Sequence, residues 1–188
     1  MDVPERTYNA KGLESLFGYG RKAHSRSGGV CQLCGCGAGP EVNFDLWRQM
    51  TIEHLIGSGQ GGYPERIRPA VDLHFSHLSE TERRDLAARI HECNIVTACQ
   101  FCNSSTSRDR APFTMEEAIA ELPLDPDQAL AALEDKLQGI LETKRRTVHW
   151  KLTSVYRAFR DDIEPELVER RQQDPKLQET RNLGAFDS

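Results

Sequence analysis

Aromatic residues make up only 7% of this 188-residue chain. No apolar run approaches the roughly 20 residues that a membrane-spanning helix needs. Neither a basic segment nor an apolar stretch of the secretory type follows Met1, so we expect a cytoplasmic protein that makes no membrane contact. The length also excludes a large multidomain enzyme.

The chain has no excess of positive charge, because 24 Lys and Arg residues face 29 Asp and Glu residues. The acidity is concentrated towards the C-terminus. Residues 1–111 contain 13 basic and 13 acidic side chains, whereas residues 112–188 contain 11 and 16. Net charge therefore does not exclude a polyanionic partner for the first part. With Pro112 as a boundary signal, the sequence predicts one domain over 1–112 and a helical region over 113–188.

Four of the six cysteines form two Cys-x-x-Cys pairs, Cys31 with Cys34 and Cys99 with Cys102. In a reducing compartment this spacing favours a metal site over disulfides. Four thiolates suit tetrahedral Zn²⁺, and a site closed by four protein ligands is structural. Cys36 is an alternative ligand, and Cys93 is expected to be a small buried side chain.

Local patterns predict the secondary structure. Strands are expected near 51–52 and 95–97, and a helix over 80–92 is indicated by the capping pair Ser79 and Glu82. The glycine-rich segments 18–29 and 57–62 are expected to be a loop and a hairpin turn. Further helices are predicted to begin within 103–110, to cover 130–141 and 146–160, and to start again at Pro165. In 146–160, Val148, Leu152, Val155 and Phe159 would form the packed face.

The candidate catalytic residues follow these elements in a recognisable order. Glu53 and His54 come after the first strand, Asn94 precedes the second, and Asn103 follows the last cysteine. This order resembles the HNH nucleases of the ββα-metal family over residues 31 to about 108. The resemblance implies an α+β fold, with a zinc-bound ββα-metal core, an inserted helix and a C-terminal α-helical unit.

The resemblance also implies a role for each of these residues. His54 would act as general base, and Asn94 would brace the loop that orients it. Glu53 and Asn103 would hold Mg²⁺ or another divalent cation. These residue types agree with that chemistry, since a neutral imidazole can accept a proton from water and hard cations prefer oxygen ligands.

Phosphate contact requires local positive charge. Thr106 stands where the family commonly carries a basic residue, so we expect Arg108 and Arg110 to supply this contact. A second basic stretch contains Arg146 and Arg157 together with Lys144, Arg145, Lys151 and Arg160, near Trp150.

The sequence thus predicts a metal-dependent HNH endonuclease that cuts DNA phosphodiester bonds, for example in defence against foreign DNA. Double-strand cutting by so small a chain favours a homodimer or a targeting partner protein. Two alternatives stay open. The chain is a catalytically inactive, zinc-stabilised module that binds nucleic acid or protein, or it is an effector that cleaves RNA.

Overall fold

The computed structural model describes residues 20–106 and 108–174, which form helices around a two-stranded sheet. The strands are β1, Met50–His54, and β2, Ile95–Cys99; they pair antiparallel, with Met50 opposite Cys99 and His54 opposite Ile95. Both predicted strands are confirmed, as is the mixed α+β class. The helices are α1 Gly20–Arg26, α2 Phe44–Trp47, α3 Pro64–His74, α4 Glu80–Cys93, α5 Gln100–Thr106, α6 Met115–Ala120, α7 Pro126–Ala158 and α8 Glu164–Gln173.

The prediction of a loop over 18–29 is wrong for Gly20–Arg26, which form helix α1. Residues 18–19 lie outside the described residues. His24 of this helix and Ser27 just after it both bond to β2. His24 Nδ1 lies 3.0 Å from Thr97 Oγ1, and the Ser27 hydroxyl donates to the same oxygen at 2.9 Å. Packing against the sheet thus outweighs the weak local helix signal.

The two strands are not joined by a tight hairpin. The hairpin turn predicted over 57–62 is wrong, because residues Ser58–Gln60 form a 3₁₀ turn that leads into α3. The chain then passes through α3 and α4 before it returns as β2.

Of the two helices in this insert, α4 was predicted from the sequence and α3 was not. The capping box of Ser79 and Glu82 is present, and it confirms the predicted helix as α4. Helix α3 was not predicted, because Pro69 lies inside it and only Ile67 and Val71 are buried. Helix α5 directly follows β2 and begins at Gln100, three residues before the predicted segment.

Helix α7 is one continuous helix of 33 residues where two were predicted. The Asp125 side chain caps its start by accepting from the Gln128 N–H. The predicted apolar stripe is buried, and Lys144 is buried in the same stripe. The buried residues of α7 are Ala129, Leu130, Leu133, Leu137, Ile140, Leu141, Lys144 and Val148.

The outer end of α7 leaves the core. Val148 is buried as predicted, but the prediction that Val155 and Phe159 also pack is wrong, since they are 49% and 36% exposed. Among the described residues, none after Ala158 is buried. The helix continues through a π-helical turn, Phe159–Ile163, into α8, and Pro165 lies in the first turn of α8 as predicted.

A single hydrophobic cluster draws residues from both sides of Pro112. The inserted helices, both strands, α6 and α7 all contribute to it. Its fully buried members include Ile56, Ile67, Phe75, Ile90, Met115, Ile119, Leu133 and Val148. The division into 1–112 and 113–188 stays a prediction. No helix in the described ranges has the length and apolar character to cross a membrane.

Candidate functional site

The two Cys-x-x-Cys pairs come together in space. The ligand sulfurs of Cys31, Cys34, Cys99 and Cys102 all lie within 4.8 Å of one another, and the Cys34 and Cys99 sulfurs are 3.9 Å apart. Zinc–sulfur bonds of about 2.3 Å at tetrahedral angles place the sulfurs about 3.8 Å apart. The four cysteines can therefore hold a metal ion such as zinc.

Backbone hydrogen bonds shape this cluster. The Gly35 N–H donates to the Cys31 carbonyl at 2.8 Å, which closes the turn between the first two ligands. Gln32 joins this turn to β2, because its N–H donates to the Thr97 carbonyl at 2.8 Å and its side-chain oxygen accepts from the Thr97 N–H at 3.0 Å. The other two ligands lie at the end of β2 and in the first turn of α5.

The thiols of the cluster perturb one another. Hydrogen bonds from Cys102 and Cys99 lower the pKa of Cys31, whereas the hydrogen bond with Cys31 raises the pKa of Cys102. Burial raises the pKa of Cys34 to about 12. Without a cation among them, four adjacent sulfurs do not all ionise, and a bound metal ion would supply the positive charge that they need.

Cys36 and Cys93 lie outside this group. The Cys36 N–H donates to the Cys34 sulfur at 3.4 Å, so the neighbouring residue helps to position a ligand. Cys93 on α4 donates to a Glu134 carboxylate oxygen at 3.4 Å, and burial raises its pKa to about 12.

Glu53 is buried at the end of β1, where its carboxylate meets α5 and α7. Its Oε1 atom accepts from the Lys144 ammonium at 2.5 Å and from the Thr106 hydroxyl at 3.3 Å. The Lys144 and Glu53 side chains are only 4% and 6% exposed. This carboxylate is thus neutralised by a cation from the chain itself.

His54 contacts a different set of neighbours. Its ring stacks on Tyr63 with centroids 4.1 Å apart, and its Nε2 lies 3.3 Å from Nε2 of His91. Burial, followed by the charges of His91 and Lys144, lowers the pKa of His54 to about 4. The imidazole is therefore neutral at pH 7.

Asn94 holds the segment that follows β1. Its Oδ1 accepts from the Ile56 N–H at 2.8 Å, and its Nδ2 donates to the carbonyls of Ile56 and Gly62, both at 2.9 Å. Asn94 is fully buried. Its side chain therefore closes the glycine-rich turn onto the start of β2.

Asn103 is anchored to β1 from α5. Its Nδ2 donates to the Thr51 hydroxyl at 2.9 Å and to the Ile52 carbonyl at 3.1 Å. Thr51 and Glu53 are two positions apart in a strand, so their side chains share one face. Asn103 therefore packs on the face of β1 that carries Glu53.

Glu53 and Asn103 offer the oxygen-bearing groups that a divalent cation prefers. The ammonium of Lys144, however, already bonds to the Glu53 carboxylate in this arrangement. Two cations beside one carboxylate oxygen repel each other. In the conformation described, these residues therefore do not fit a Mg²⁺ ion on Glu53.

The four arginines predicted to contact phosphate, Arg108, Arg110, Arg146 and Arg157, are all exposed. Three neighbouring cations of α7 bond to the protein itself. Lys144 and Lys151 donate to the Thr106 and Ser105 carbonyls at the end of α5, and Arg145 donates to the Gln32 carbonyl at 2.7 Å. The basic stretch of α7 thus partly stabilises α5 and the cysteine turn.

Three neighbours of the candidate site residues were not predicted: Lys144 as the partner of Glu53, and Tyr63 and His91 beside His54. A signal existed for the first, because Lys144 interrupts the apolar stripe between Leu141 and Val148 at helical spacing. A charged residue in such a position is buried only when it is paired. Tyr63 and His91 carry no comparable local signal, since both meet His54 through the fold.

Comparison of the chain with protein families, with curated proteins and with solved structures finds no match.

Proposed function

We propose that the chain is an endonuclease of the HNH type that hydrolyses phosphodiester bonds in DNA. The cysteine cluster is the observation that supports this proposal most directly. It ties the turn before β1 to the end of β2 and the start of α5. Glu53, His54 and Asn103 lie on these connected elements, in the order that the sequence resemblance implies.

In this proposal His54 accepts the proton of the attacking water. Burial keeps its imidazole neutral at pH 7, which leaves one ring nitrogen able to accept a proton. Asn94 positions the loop after β1 through its three hydrogen bonds. The exposed side chains of the four predicted arginines, Arg108, Arg110, Arg146 and Arg157, would bind phosphate groups.

Zn²⁺ on the four cysteines would have a structural role, because four protein ligands leave no open position. The catalytic cofactor of the proposal is Mg²⁺ or another divalent cation with Glu53 and Asn103 as ligands, and its binding requires Lys144 to leave the Glu53 carboxylate. Such a cation would neutralise charge on the reacting phosphate when bound. A homodimer or a targeting partner protein, a cytoplasmic location and a role against foreign DNA belong to the same proposal.

A second candidate function is a zinc-stabilised module that binds nucleic acid or protein without cleaving it. The ion pair of Glu53 with Lys144 favours this candidate, because it engages the carboxylate that the hydrolytic reaction needs.

A plasmid-nicking assay separates the two candidates. The purified, zinc-loaded chain is incubated with supercoiled DNA and Mg²⁺ or Mn²⁺, alongside the His54→Ala variant. His149→Ala is the matched control, because His149 is exposed on α7. We expect cleavage by the wild type and the control, and a loss of about 100-fold or more in the His54 variant.

No cleavage by any of the three proteins at equal zinc content would contradict the nuclease proposal and favour the binding module. A parallel digest of RNA distinguishes the RNA-cleaving alternative.

Asn103→Ala tests whether Asn103 is the second ligand of the proposed divalent cation, beside Glu53. We expect this variant to keep its zinc and its fold, since Asn103 is partly exposed at the edge of the core, but to cleave more slowly than the wild type. Unchanged cleavage would remove Asn103 from the proposed site.

A further inference from the structure

The buried contact between Glu53 and Lys144 joins two parts of the chain that lie 91 positions apart. The ammonium donates to Glu53 Oε1 at 2.5 Å and to the Thr106 carbonyl at 3.1 Å. It is therefore held by a carboxylate from β1 and by the end of α5. Within the described residues this is the only ion pair whose two side chains are both less than a tenth exposed.

A buried carboxylate requires a positive partner, because burial of an unpaired charge is strongly unfavourable. In the structure, the Lys144 ammonium supplies this positive charge. A divalent cation on the same oxygen would also supply positive charge, but the two cations would repel each other at such short range. Glu53 can thus have one of these partners at a time.

Lys144 also borders open space. A surface cavity of about 410 Å³ lies beside Lys144 and is lined also by Asp109, Arg110, Phe113 and Lys136. The lysine side chain has four flexible methylene groups. The cavity therefore gives the ammonium room to move away from Glu53.

We propose that Lys144 and a divalent cation are mutually exclusive partners of Glu53. Lys144 occupies the cation position in the fold described, and a divalent cation binds when this side chain withdraws into the neighbouring cavity. The inference rests on the proposed function only in taking Glu53 as a cation ligand. Lys144 thus acts as an internal competitor for the cation site and lowers the apparent affinity for the divalent cation.

The first test uses Lys144→Met, which retains a long apolar stem and removes the ammonium. The zinc-loaded variant should melt at a lower temperature than the wild type, and Mn²⁺ should reverse this loss. At a Mn²⁺ concentration one hundred times the dissociation constant, the melting temperature should rise by roughly 5–10 °C. The wild type should need at least about tenfold more Mn²⁺ for the same rise.

Two further variants serve as controls. Lys151→Met removes a neighbouring cation of α7 that bonds to the Ser105 carbonyl and to no carboxylate; its response to Mn²⁺ should equal that of the wild type. The double variant Glu53→Gln with Lys144→Met should lose the response. An equal response in the wild type and Lys144→Met, or a full response in the double variant, would overturn the proposal.

The second test examines the wild type, so it stands even if Lys144→Met fails to fold. The reactivity of each lysine towards acetic anhydride is measured by mass spectrometry, with and without Mg²⁺. Lys144 should be protected in metal-free buffer and become at least several-fold more reactive with Mg²⁺, whereas the reactivity of Lys151 stays constant. Protection of Lys144 that does not change at saturating Mg²⁺ would contradict exclusive binding.

Neither readout requires DNA cleavage. A wild type that cuts no plasmid, together with a Glu53-dependent Mn²⁺ response in Lys144→Met, would contradict the nuclease and leave this inference standing. Plasmid cleavage by the wild type, without a Glu53-dependent Mn²⁺ response in Lys144→Met, would support the nuclease and overturn this inference.

Discussion

At the scale of single residues, the site depends on polar groups that are buried and paired. Glu53, His54 and Asn94 are all nearly or fully inaccessible to solvent, and each has a specific partner in another element. Removing one member of such a pair leaves the other desolvated and unsatisfied. Substitutions here therefore affect stability, and a test of function needs a measurement of folding beside it.

Gly62 shows how closely the turn after β1 is packed. A Cβ atom at this position would lie 1.7 Å from the Ile56 carbonyl oxygen and 2.7 Å from Asn94 Nδ2. Gly62→Ala should therefore break the contact of Asn94 with the turn and lower the free energy of unfolding by about 2 kcal/mol or more. Urea denaturation measures this loss.

Gly59→Ala is the control in the same turn. A Cβ atom at Gly59 meets no atom within 4 Å, so its effect should stay within about 1 kcal/mol of zero. Equal stabilities of the two variants would contradict the close approach at Gly62.

His54 makes stability depend on pH. Its folded-state pKa is lowered to about 4, so between pH 6.5 and 4 the unfolded chain binds a proton at this residue that the folded chain does not. The contribution of neutral His54 to the free energy of unfolding is fully present above pH 6.5. It should fall by about 3 kcal/mol as the pH drops to 4. Burial lowers the pKa of His91 as well, which adds to the fall in the same direction.

Denaturation curves at several pH values test this dependence in the wild type, in His54→Gln and in the exposed-site control His149→Gln. Acid also weakens cysteine–zinc binding in all three proteins, so the difference between variants is the informative quantity. The slope should be smaller in His54→Gln only. Identical slopes in all three would show that His54 does not carry the effect.

At the scale of elements, the cysteine cluster joins the turn at 31–36, β2 and α5. A two-stranded sheet is marginal by itself, so its stability comes from the elements attached to it. Four candidate ligands spread over two distant segments close a long loop of the chain, and a bound metal ion would offset the entropy that this closure costs.

Cys31→Ser should therefore unfold the first part of the chain. Structural zinc contributes on the order of 10 kcal/mol in small zinc domains, which exceeds the stability of many whole proteins. Circular dichroism melting and zinc analysis measure the outcome, and Cys99→Ser should behave alike. Cys36→Ser is the matched control, because Cys36 adjoins the cluster without belonging to it; it should retain one zinc per chain.

A cooperatively folded, zinc-free Cys31→Ser protein would contradict a structural role for the metal. Loss of zinc in Cys36→Ser would identify this residue as a ligand.

Helix α7 has two different halves. Its first half buries an apolar stripe in the core, and its second half has no buried residue beyond Val148. On either side of Val148, Lys144, Arg145 and Lys151 bond to backbone carbonyls outside the helix. A basic helix face that looks available for nucleic acid in the sequence is thus partly used to hold the molecule together.

At the scale of the whole molecule, one core connects the metal-binding part with the C-terminal helices. A chain that ends after residue 112 loses the apolar stripe of α7 and the Lys144 partner of Glu53. We expect this fragment to show no cooperative melting even with zinc, because large apolar surfaces become exposed. Circular dichroism and size-exclusion chromatography report the result.

A chain that ends after residue 158 is the corresponding control. The described residues beyond Ala158 include none that is buried, so this shorter chain should melt within a few degrees of the full chain. Cooperative melting of the 112-residue fragment would instead establish two independent domains.

The local patterns of the sequence were sufficient for the two strands, the capped helix α4, the apolar stripe of α7 and the pairing of the cysteines into one cluster. Each of these follows from spacings of a few residues or from ligand chemistry. Helix α3 was not predicted, because it contains Pro69 and has few apolar residues at helical spacing. The ends of α7 were predicted wrongly, because local sequence patterns do not show how far the core extends.

The partners of the candidate site residues, by contrast, depend on how distant segments pack together. Lys144 reaches Glu53 across 91 positions, and His91 meets His54 across 37. From the sequence alone, a carboxylate, an imidazole and two amides could be named as candidates between and just after the two cysteine pairs. Whether the buried carboxylate is partnered by a lysine depends on how α7 packs against β1 and α5, because the energy of a buried charge is set by the atoms that surround it in space.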